Sequence, residues 1–318
     1  MSTRGAPGAD ASGSRVGGEI CSFRGAAVSA RFAARCAAEA ARVACLLEAT
    51  VPKPGNVHPG ASFSDLRYED FVRAGELCAP ILGRAAERGV GVTVLDCVRA
   101  TRSVLSTNPN LGIILLLAPL AAVPGDLRLA EGIQEVLDRL TLDDSRLVFE
   151  AIRLAAPGGL GDAPEQDVRS EPTEPLQEIM RRAADRDAIA LQYTTGFSLV
   201  LDEGLSFLVD DNAFARDAET AVIRLHLELM SRHPDSLIAR KCGPVIAAES
   251  ANRAARVLAA NWPTTDESRT ELNRLDTWLR GDGNRRNPGT TADLVAAILF
   301  AGLRDGVIVE PTSHAARN

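Results

Sequence analysis

The sequence predicts an all-α protein, an irregular multi-helix bundle that forms a single domain with long functional loops. Apolar residues recur at helical spacing along most of the chain. Hydrophobic residues make up 46% of the sequence and aromatic residues only 4%, so the core is mostly alanine, leucine, valine and isoleucine. Alanine has the highest intrinsic helix propensity. Because no alternating strand pattern and no strand–helix–strand rhythm accompanies these segments, a parallel sheet is not expected.

Six helices are predicted in the first half of the chain. The first follows the helical spacing of Phe32 and Val43 and stops before Pro52. The fourth begins after Asn108-Pro109, because a capping residue followed by proline is typical of a helix start. The other four rest on apolar periodicity alone. The predicted ranges are Ala26–Ala49, Tyr68–Arg88, Val92–Leu105, Leu111 onward, Asp126–Leu140 and Asp143–Ala155.

A break rich in proline and glycine, residues 156–175, separates the two halves. We interpret it as a long functional loop rather than a domain linker, because the second half continues the same alanine- and leucine-rich helical pattern. Among the helices beyond it, Asn212–Arg232 has the clearest apolar stripe. The predicted ranges are Leu176–Gln192, Thr195–Leu208, Asn212–Arg232, Gly243–Ala260, Asp266–Leu279 and Thr291–Arg304, followed by Val307–Val309 as a short strand or part of the tail.

The two ends of the chain are expected to lie outside the folded domain, which we place at residues 25–310. Residues 1–24 are rich in glycine, alanine and serine, and they predict a disordered leader without the apolar segment of a signal peptide. Residues 311–318 are predicted to be a tail. The longest apolar stretch, Leu111–Val123, contains Pro119 and is shorter than the ~20 residues that span a bilayer. No membrane partner is therefore expected.

Charge and cysteine content narrow the class of protein further. The net charge is −7 and the arginines are scattered, so a nucleic-acid surface is not expected. The six cysteines form no C-x-x-C pair, which is typical of reduced thiols in a cytoplasmic protein. The four histidines have no metal-type spacing. Small-molecule substrates are the expected partners, and a homo-oligomer is left open.

Only two of the 35 basic residues are lysines, Lys53 and Lys241. In a chain that uses arginine almost everywhere else, a retained lysine indicates a site that needs a compact point charge. Lys53 lies in the first of four polar segments, Pro52–Gly60, where prolines make the backbone rigid and expose Asn56 and His58. The alternative is that this segment is only a structured corner between helices.

The other three polar segments each adjoin a predicted helix. Ser106–Gly112 contains Asn108 and Asn110 at a helix N-terminus, which suits phosphate, although an ordinary cap is the alternative. Asp235 precedes Arg240 and Lys241, so a carboxylate could hold Mg²⁺ beside two cations, unless Asp235 only caps a helix. Gly281–Leu294 is dense in glycine, asparagine and arginine, and it includes Asn287. Thr290 and Asp293 there have the T-x-x-D form of a capping box, so a purely structural Asp293 is the alternative.

These segments carry a resemblance to a known family. There is no phosphate-binding glycine loop of the Walker or dinucleotide type, no Ser-His-Asp arrangement and no zinc signature. Between about Leu47 and Val309, however, the sequence resembles the triphosphoribosyl-dephospho-CoA synthase family, which serves citrate lyase and malonate decarboxylase. The matching segments are Thr50–Asn56, Ser62–Asp70, Ser106–Leu117, Gly159–Val168, Gln192–Phe197, Asp235–Gly243 and Asn287–Leu294.

The resemblance implies an all-α transferase that displaces adenine from ATP. The triphosphoribosyl group is joined to the ribose 2′-hydroxyl of 3′-dephospho-CoA or a related acceptor. Breaking the N-glycosidic bond proceeds through an oxocarbenium-like transition state, and it needs cations for the triphosphate, an acid near adenine and a base near the attacking hydroxyl. ATP is then a substrate, and Mg²⁺ is expected with it.

The resemblance also implies a set of site residues, with positions better defined than roles. Asp65, Glu69 and Asp235 are the predicted catalytic carboxylates. Asp235 and Asp293 are the predicted metal ligands. The predicted nucleotide- and phosphate-binding residues are Lys53, Asn56, Asn108, Asn110, Arg240, Lys241 and Asn287. If these groups form one active site, Lys53, Asp65, Asp235 and Asp293 should lie in one cleft.

One departure from the family pattern concerns the acceptor. The citrate-lyase branch carries Asn-Thr-His-x-Gly where this chain reads Asn108-Pro109-Asn110-Leu111-Gly112, so a histidine is absent. The chain is therefore similar to a divergent branch found in archaea and some environmental bacteria. A related phosphoribosyl or glycosyl transfer in a pterin-type C1 cofactor pathway is the alternative. A hydrolase that passes the ribosyl unit to water, and a non-catalytic helical binding module, are also left open.

Overall fold

The computed structural model describes residues 36–64, 66–107, 109–155, 168–209 and 213–308. Within these ranges the chain is built from α-helices, and the predicted all-α fold is confirmed. Its only named strand is a four-residue segment, Gly281–Asn284, before the last helix. The predicted leader, the predicted tail and most of the predicted break at 156–175 fall outside these ranges.

The helices are numbered in chain order. In the first half they are α1 (Ala37–Thr50), α2 (Tyr68–Leu82), α3 (Ala85–Arg88), α4 (Val90–Val104), α5 (Leu111–Ala121), α6 (Leu129–Asp138) and α7 (Leu142–Ala155). The second half begins with α8 (Leu176–Ala183), α9 (Ala188–Thr194) and a π-helical segment, Leu199–Gly204, that leads into α10 (Leu205–Val209). It continues with α11 (Ala213–Arg216), α12 (Ala218–Arg232), α13 (Ser236–Cys242), α14 (Pro244–Ala259), α15 (Asp266–Arg280) and α16 (Gly289–Arg304).

Two capping aspartates divide helices that were predicted to be continuous. Asp187 accepts hydrogen bonds from the backbone N–H groups of Ile189 (2.8 Å) and Ala190 (3.3 Å), and α9 begins there. Asp217 accepts one from the N–H of Thr220 at 3.1 Å and starts α12 in the same way. The apolar stripe continues across each break because both helices face one core, so periodicity alone does not reveal the break.

The predicted helix Tyr68–Arg88 is likewise two helices. Pro80 lies in the last turn of α2 and removes a backbone donor. Gly83 then passes close to α1, where an added Cβ would lie 2.7 Å from the Cβ of Ala38. The chain therefore turns at Gly83 and resumes as the short helix α3.

The core is organised around α16, which packs against α1, α5, α9 and α12. A helix that is buried on all sides occupies the centre of a bundle. Every residue from Thr290 to Arg304 is buried except Asp293. The core therefore leaves one carboxylate only partly covered near the start of its central helix, and the candidate site lies at this point.

Candidate active site

One large cavity, with a volume of about 900 Å³, lies where several helix ends meet. Its walls come from the end of α1, the starts of α5, α9 and α16, helix α13, and helices α7 and α8. All four polar segments of the sequence reach it. They contribute Asn56, then Pro109, Leu111 and Gly112, the pair Arg240 and Lys241, and several residues between Asn284 and Asp293. Residues far apart in the chain therefore share one space.

The cavity lining is more basic than the protein as a whole. The net charge of the chain is −7, yet six basic and three acidic side chains line the cavity. The basic side chains are Arg102, Arg182, Arg186, Arg240, Lys241 and Arg285, and the acidic ones are Glu48, Asp187 and Asp293. A concave surface with this excess of positive charge attracts a polyanion.

A second part of the lining is apolar. Helices α7 and α8 present Val148, Phe149, Ile152, Ile179 and Met180 to the cavity. Small-molecule sites commonly combine such an apolar surface with a few polar groups that fix orientation. The cavity can therefore hold a ligand that has both a highly charged part and an uncharged part.

Glu48 and Lys53 form a buried ion pair at the end of α1. The Lys53 Nζ lies 3.1 Å from the Glu48 Oε1 and also donates a hydrogen bond to the Glu48 backbone carbonyl. Lys53 is fully buried and Glu48 is 4% exposed. Glu48 lines the cavity, whereas Lys53 lies behind it. The second carboxylate oxygen of Glu48, Oε2, has no hydrogen-bond partner within the described ranges.

The loop that follows α1 is fastened to α15 and to the start of α16. The Asn56 side-chain amide donates to the Asn287 Oδ1 at 2.7 Å, and both residues line the cavity. The Gly55 backbone N–H donates to the Asp276 Oδ1 at 2.8 Å, and Arg280 donates to the Asn56 carbonyl. Gly55 has a φ of 78°, a conformation that favours glycine. The amide pair at the cavity wall is thus held by fixed backbone contacts.

Arg240 and Asp187 join α13 to the start of α9. The Arg240 Nη1 lies 2.5 Å from the Asp187 Oδ2, and both side chains are about one quarter exposed. Lys241 beside it contacts the Asn284 carbonyl through Nζ at 3.5 Å. Since both basic residues line the cavity and keep some exposure, they can contact an anionic ligand.

Asp293 lies against the start of α5. A Cβ on Gly112 would be 2.0 Å from the Asp293 Oδ2, so only glycine fits beside this carboxylate. Burial, reinforced by the negative charges of Glu48, Asp235 and Asp187, raises the pKa of Asp293 well above its usual range, and Arg240 opposes the shift. The predicted capping box with Thr290 is wrong, because α16 begins at Gly289 and Pro288 occupies its N-cap position.

Comparison with known proteins identifies the family. The family model CitG, described as ATP:dephospho-CoA triphosphoribosyl transferase, matches residues 34–309.

The chain belongs to the CitG family.

A crystal structure from Archaeoglobus fulgidus, of a protein proposed to be a triphosphoribosyl-dephospho-CoA synthase, is also similar. It is 29% identical in sequence with a TM-score of 0.58, and the match covers 73% of this chain and 98% of that one. No curated protein sequence matches the chain. The resemblance seen in the polar segments is therefore confirmed at the level of family and enzyme class.

Five of the predicted CitG-family site residues line the cavity. They are Asn56, Arg240, Lys241, Asn287 and Asp293. Lys53 lies one contact away, behind Glu48. Asp65 and Asn108, which were also predicted, fall outside the described residues.

Asp235 is buried and does not line the cavity. It caps α13 by accepting a hydrogen bond from the Ile238 N–H at 2.9 Å. Its other oxygen accepts bonds from the Thr291 N–H (2.7 Å) and hydroxyl (2.8 Å). Burial raises the pKa of Asp235, and these hydrogen bonds oppose the shift. Because these backbone and hydroxyl donors occupy both oxygens, the side chain connects the starts of α13 and α16. This is the capping role that was the alternative to metal binding.

Three other polar residues are placed away from the cavity. The Glu69 side chain is 72% exposed at the start of α2 and faces Arg67 at 3.8 Å. Asn110 is buried, and its amide donates to the Cys78 thiol sulfur at 3.7 Å. His58 accepts a hydrogen bond from the Gly60 N–H. None of the three lines the cavity, so we assign them no ligand contact.

Sequence reasoning missed several residues that the structure places in the site. Glu48 is the clearest, since a buried carboxylate interrupts the apolar stretch from Ala44 to Ala49. Charged residues are seldom buried unless they are paired or functional, so this interruption was a usable signal. Asp187 gave no such signal. Four cavity arginines gave none either, because arginine is common throughout the chain. These four are Arg102, Arg182, Arg186 and Arg285.

Within the described ranges, no group of three or more His, Cys, Asp or Glu side chains is placed to hold a metal ion. No helix in the same ranges is long and apolar enough to cross a bilayer. The five cysteines there are free thiols.

Proposed function

We propose that the cavity binds ATP and that the protein transfers the triphosphoribosyl group to the ribose 2′-hydroxyl of dephospho-CoA or a closely related acceptor. Membership of the CitG family gives the reaction class. The observation that supports this assignment best is a single cavity with a net positive lining, three carboxylates and an apolar wall. A non-catalytic binding module would not need carboxylates beside the anion-binding groups.

The triphosphate is assigned to the basic wall formed by α13 and the segment before α16. Arg240, Lys241 and Arg285 line this wall, and the Arg285 side chain donates to the Lys241 carbonyl at 3.1 Å. Arginine forms paired hydrogen bonds with phosphate oxygens, while lysine acts as a compact charge. Lys53 was predicted to contact the triphosphate, but its ammonium is buried on Glu48. We therefore assign Lys53 to positioning Glu48.

The ribose is assigned to the amide pair. Asn56 and Asn287 line the cavity and hydrogen-bond to each other. The Asn56 Oδ1 is buried and has no partner within the described ranges, so a sugar hydroxyl would satisfy it once the side-chain amide turns toward the cavity. The apolar wall of α7 and α8 suits the uncharged parts of the substrates, the adenine ring and the acceptor chain.

Magnesium remains a prediction, and the residues fit it only weakly. Of the two predicted ligands, Asp235 is committed to hydrogen bonds and does not line the cavity. Mg²⁺ often binds through one or two carboxylates together with substrate phosphates, and among the predicted ligands only Asp293 faces the cavity. We also propose a cytoplasmic location, which the free thiols of the described chain favour.

The test is to incubate the protein with ATP and dephospho-CoA and to quantify adenine and the coupled product by mass spectrometry. We expect equal amounts of adenine and of a dephospho-CoA derivative that carries the triphosphoribosyl group. Adenine with free triphosphoribose would indicate a hydrolase. No adenine with any acceptor, together with no ATP binding by calorimetry, would refute the proposed function.

A further inference from the structure

Glu48 has the features of a reactive carboxylate. The side chain is 4% exposed and lines the cavity, yet its Oε2 has no hydrogen-bond partner in the part of the chain that is described. Buried polar atoms in folded proteins are nearly always satisfied. The Glu48 Oε2 is itself enclosed by protein atoms, so it meets a proton-donating ligand group when the side chain, which lines the cavity, turns toward the ligand.

Asp293 is the second carboxylate at the same wall. It is the one residue of α16 between Thr290 and Arg304 that is only partly buried, and it lines the cavity. Gly112 leaves space for it at the start of α5. The two carboxylates come from helices that pack together, α1 and α16, and the negative charge of Glu48 acts on Asp293.

We propose that Asp293 is the general acid that protonates the departing adenine and that Glu48 is the general base that accepts the proton of the attacking hydroxyl. This inference rests on the proposed function above. It adds a catalytic residue, Glu48, that no sequence motif indicated, and it gives Asp293 a role in proton transfer in place of the predicted metal binding.

The proposed step breaks one bond and forms one bond at the ribose C1′. The bond between ribose C1′ of ATP and N9 of adenine breaks, and its electron pair stays with the base. A nitrogen of adenine takes the proton of Asp293, so adenine leaves uncharged. The 2′-oxygen of the acceptor forms the new bond to C1′, and its proton passes to the Glu48 Oε2. The net result transfers one proton from Asp293 and one to Glu48, and solvent restores both groups after product release.

The surroundings of the two side chains favour this division of roles. The Lys53 ammonium, 3.1 Å from the Glu48 Oε1, pairs with an ionised carboxylate and leaves Oε2 to act as the acceptor. Around Asp293 the charged groups are Glu48 on α1, Asp187 at the start of α9, and Asp235 and Arg240 at α13. Burial and three negative charges against one positive charge favour its protonated form, which a general acid requires.

The experiment compares Asp293→Asn and Glu48→Gln with the wild-type protein on two donors. One donor is ATP, and the other is a ribose triphosphate with 4-nitrophenolate in place of adenine, a leaving group that needs no proton. With ATP, each variant should lose about 10²–10⁴-fold in rate, the usual range for acid–base catalysis. With the nitrophenyl donor, Asp293→Asn should recover most of the wild-type rate and Glu48→Gln should not.

Controls keep the outcome interpretable. Because Glu48→Gln leaves the Lys53 ammonium unpaired, the double variant Glu48→Gln, Lys53→Met tests whether a loss of rate comes from misfolding. It should regain thermal stability but not activity. Recovery of Asp293→Asn by excess Mg²⁺ alone would show a metal ligand and overturn the acid role. Full ATP activity in either variant would overturn its assignment, whereas a wild-type protein that releases no adenine would instead refute the proposed function.

Discussion

The Lys53 Nζ lies 3.1 Å from the Glu48 Oε1, and both side chains are buried, with Glu48 at the cavity wall and Lys53 behind it. A rigid loop of prolines therefore supplies the countercharge that allows a carboxylate to be buried at the end of α1. Removing one member of a buried ion pair leaves an uncompensated charge, which costs far more free energy than the intact pair contributes. The stability of this end of the bundle and the position of Glu48 are thus linked.

Lys53→Met should lower the free energy of unfolding by about 3 kcal/mol or more, because Glu48 is left buried without its partner. Chemical denaturation followed by circular dichroism measures the loss. The matched control is Lys241→Met, which changes the only other lysine of the chain. Since Lys241 is only half-buried, its loss should cost less than about 1 kcal/mol. An equal effect of the two substitutions would contradict the buried-pair interpretation.

Arg240→Gln should weaken ATP binding about tenfold, because it removes a charged hydrogen-bond donor from the basic wall. Isothermal titration calorimetry at fixed ionic strength measures the change. Arg146→Gln is the control, since this arginine is on α7 with an exposed side chain that pairs with Asp143. Unchanged affinity in Arg240→Gln would place the triphosphate elsewhere.

Gly112→Ala should reduce transfer at least tenfold while leaving the helical content unchanged. The added Cβ would lie 2.0 Å from the Asp293 Oδ2, so the carboxylate must move. Displacement of a catalytic group by about 1 Å can cost on the order of 10²-fold in rate. Steady-state kinetics checks the prediction, with Gly281→Ala as the control at a glycine whose φ is −66°. Normal kinetics in Gly112→Ala would argue against a fixed position for Asp293.

Acid should destabilise the protein through His226. Burial, together with the positive charge of Lys53, lowers the pKa of His226 from 6.5 to about 3. Between pH 6.5 and about pH 3, His226 binds a proton in the unfolded chain but not in the folded chain. The free energy of unfolding therefore falls as the pH drops below 6.5. From pH 7 to pH 5 this should cost about 2 kcal/mol, at about 1.4 kcal/mol per pH unit. Urea denaturation at both pH values should show a smaller loss in His226→Leu, and an equal loss in both proteins would contradict the prediction.

The sequence predicted those features that depend on residues close together within one helix. Apolar spacing located the helices, and it failed at Asp187 and Asp217 because a capping residue can sit within a continuous apolar stripe. The four polar segments were predicted to carry the site, and residues from all four line one cavity. In each segment, glycine, proline, asparagine or charged residues interrupt the apolar helices, and this composition is visible in the local sequence.

The roles of individual residues could not be read from local sequence. Asp235 and Asp293 each lie near the start of a helix, yet one is enclosed by backbone donors and the other faces the cavity. Lys53 was predicted to contact the ligand, but its ammonium pairs with Glu48. This pairing depends on how the loop folds back on α1, which the local sequence does not show. Which side of a helix end meets a cavity is a tertiary property.

A crystal structure of the protein with a non-hydrolysable ATP analogue is the decisive measurement. We predict the triphosphate against Arg240 and Lys241, with the ribose C1′ between the carboxylates of Glu48 and Asp293. A nucleotide bound outside this cavity, or bound in it with C1′ beyond the reach of both carboxylates, would contradict the proposed active site.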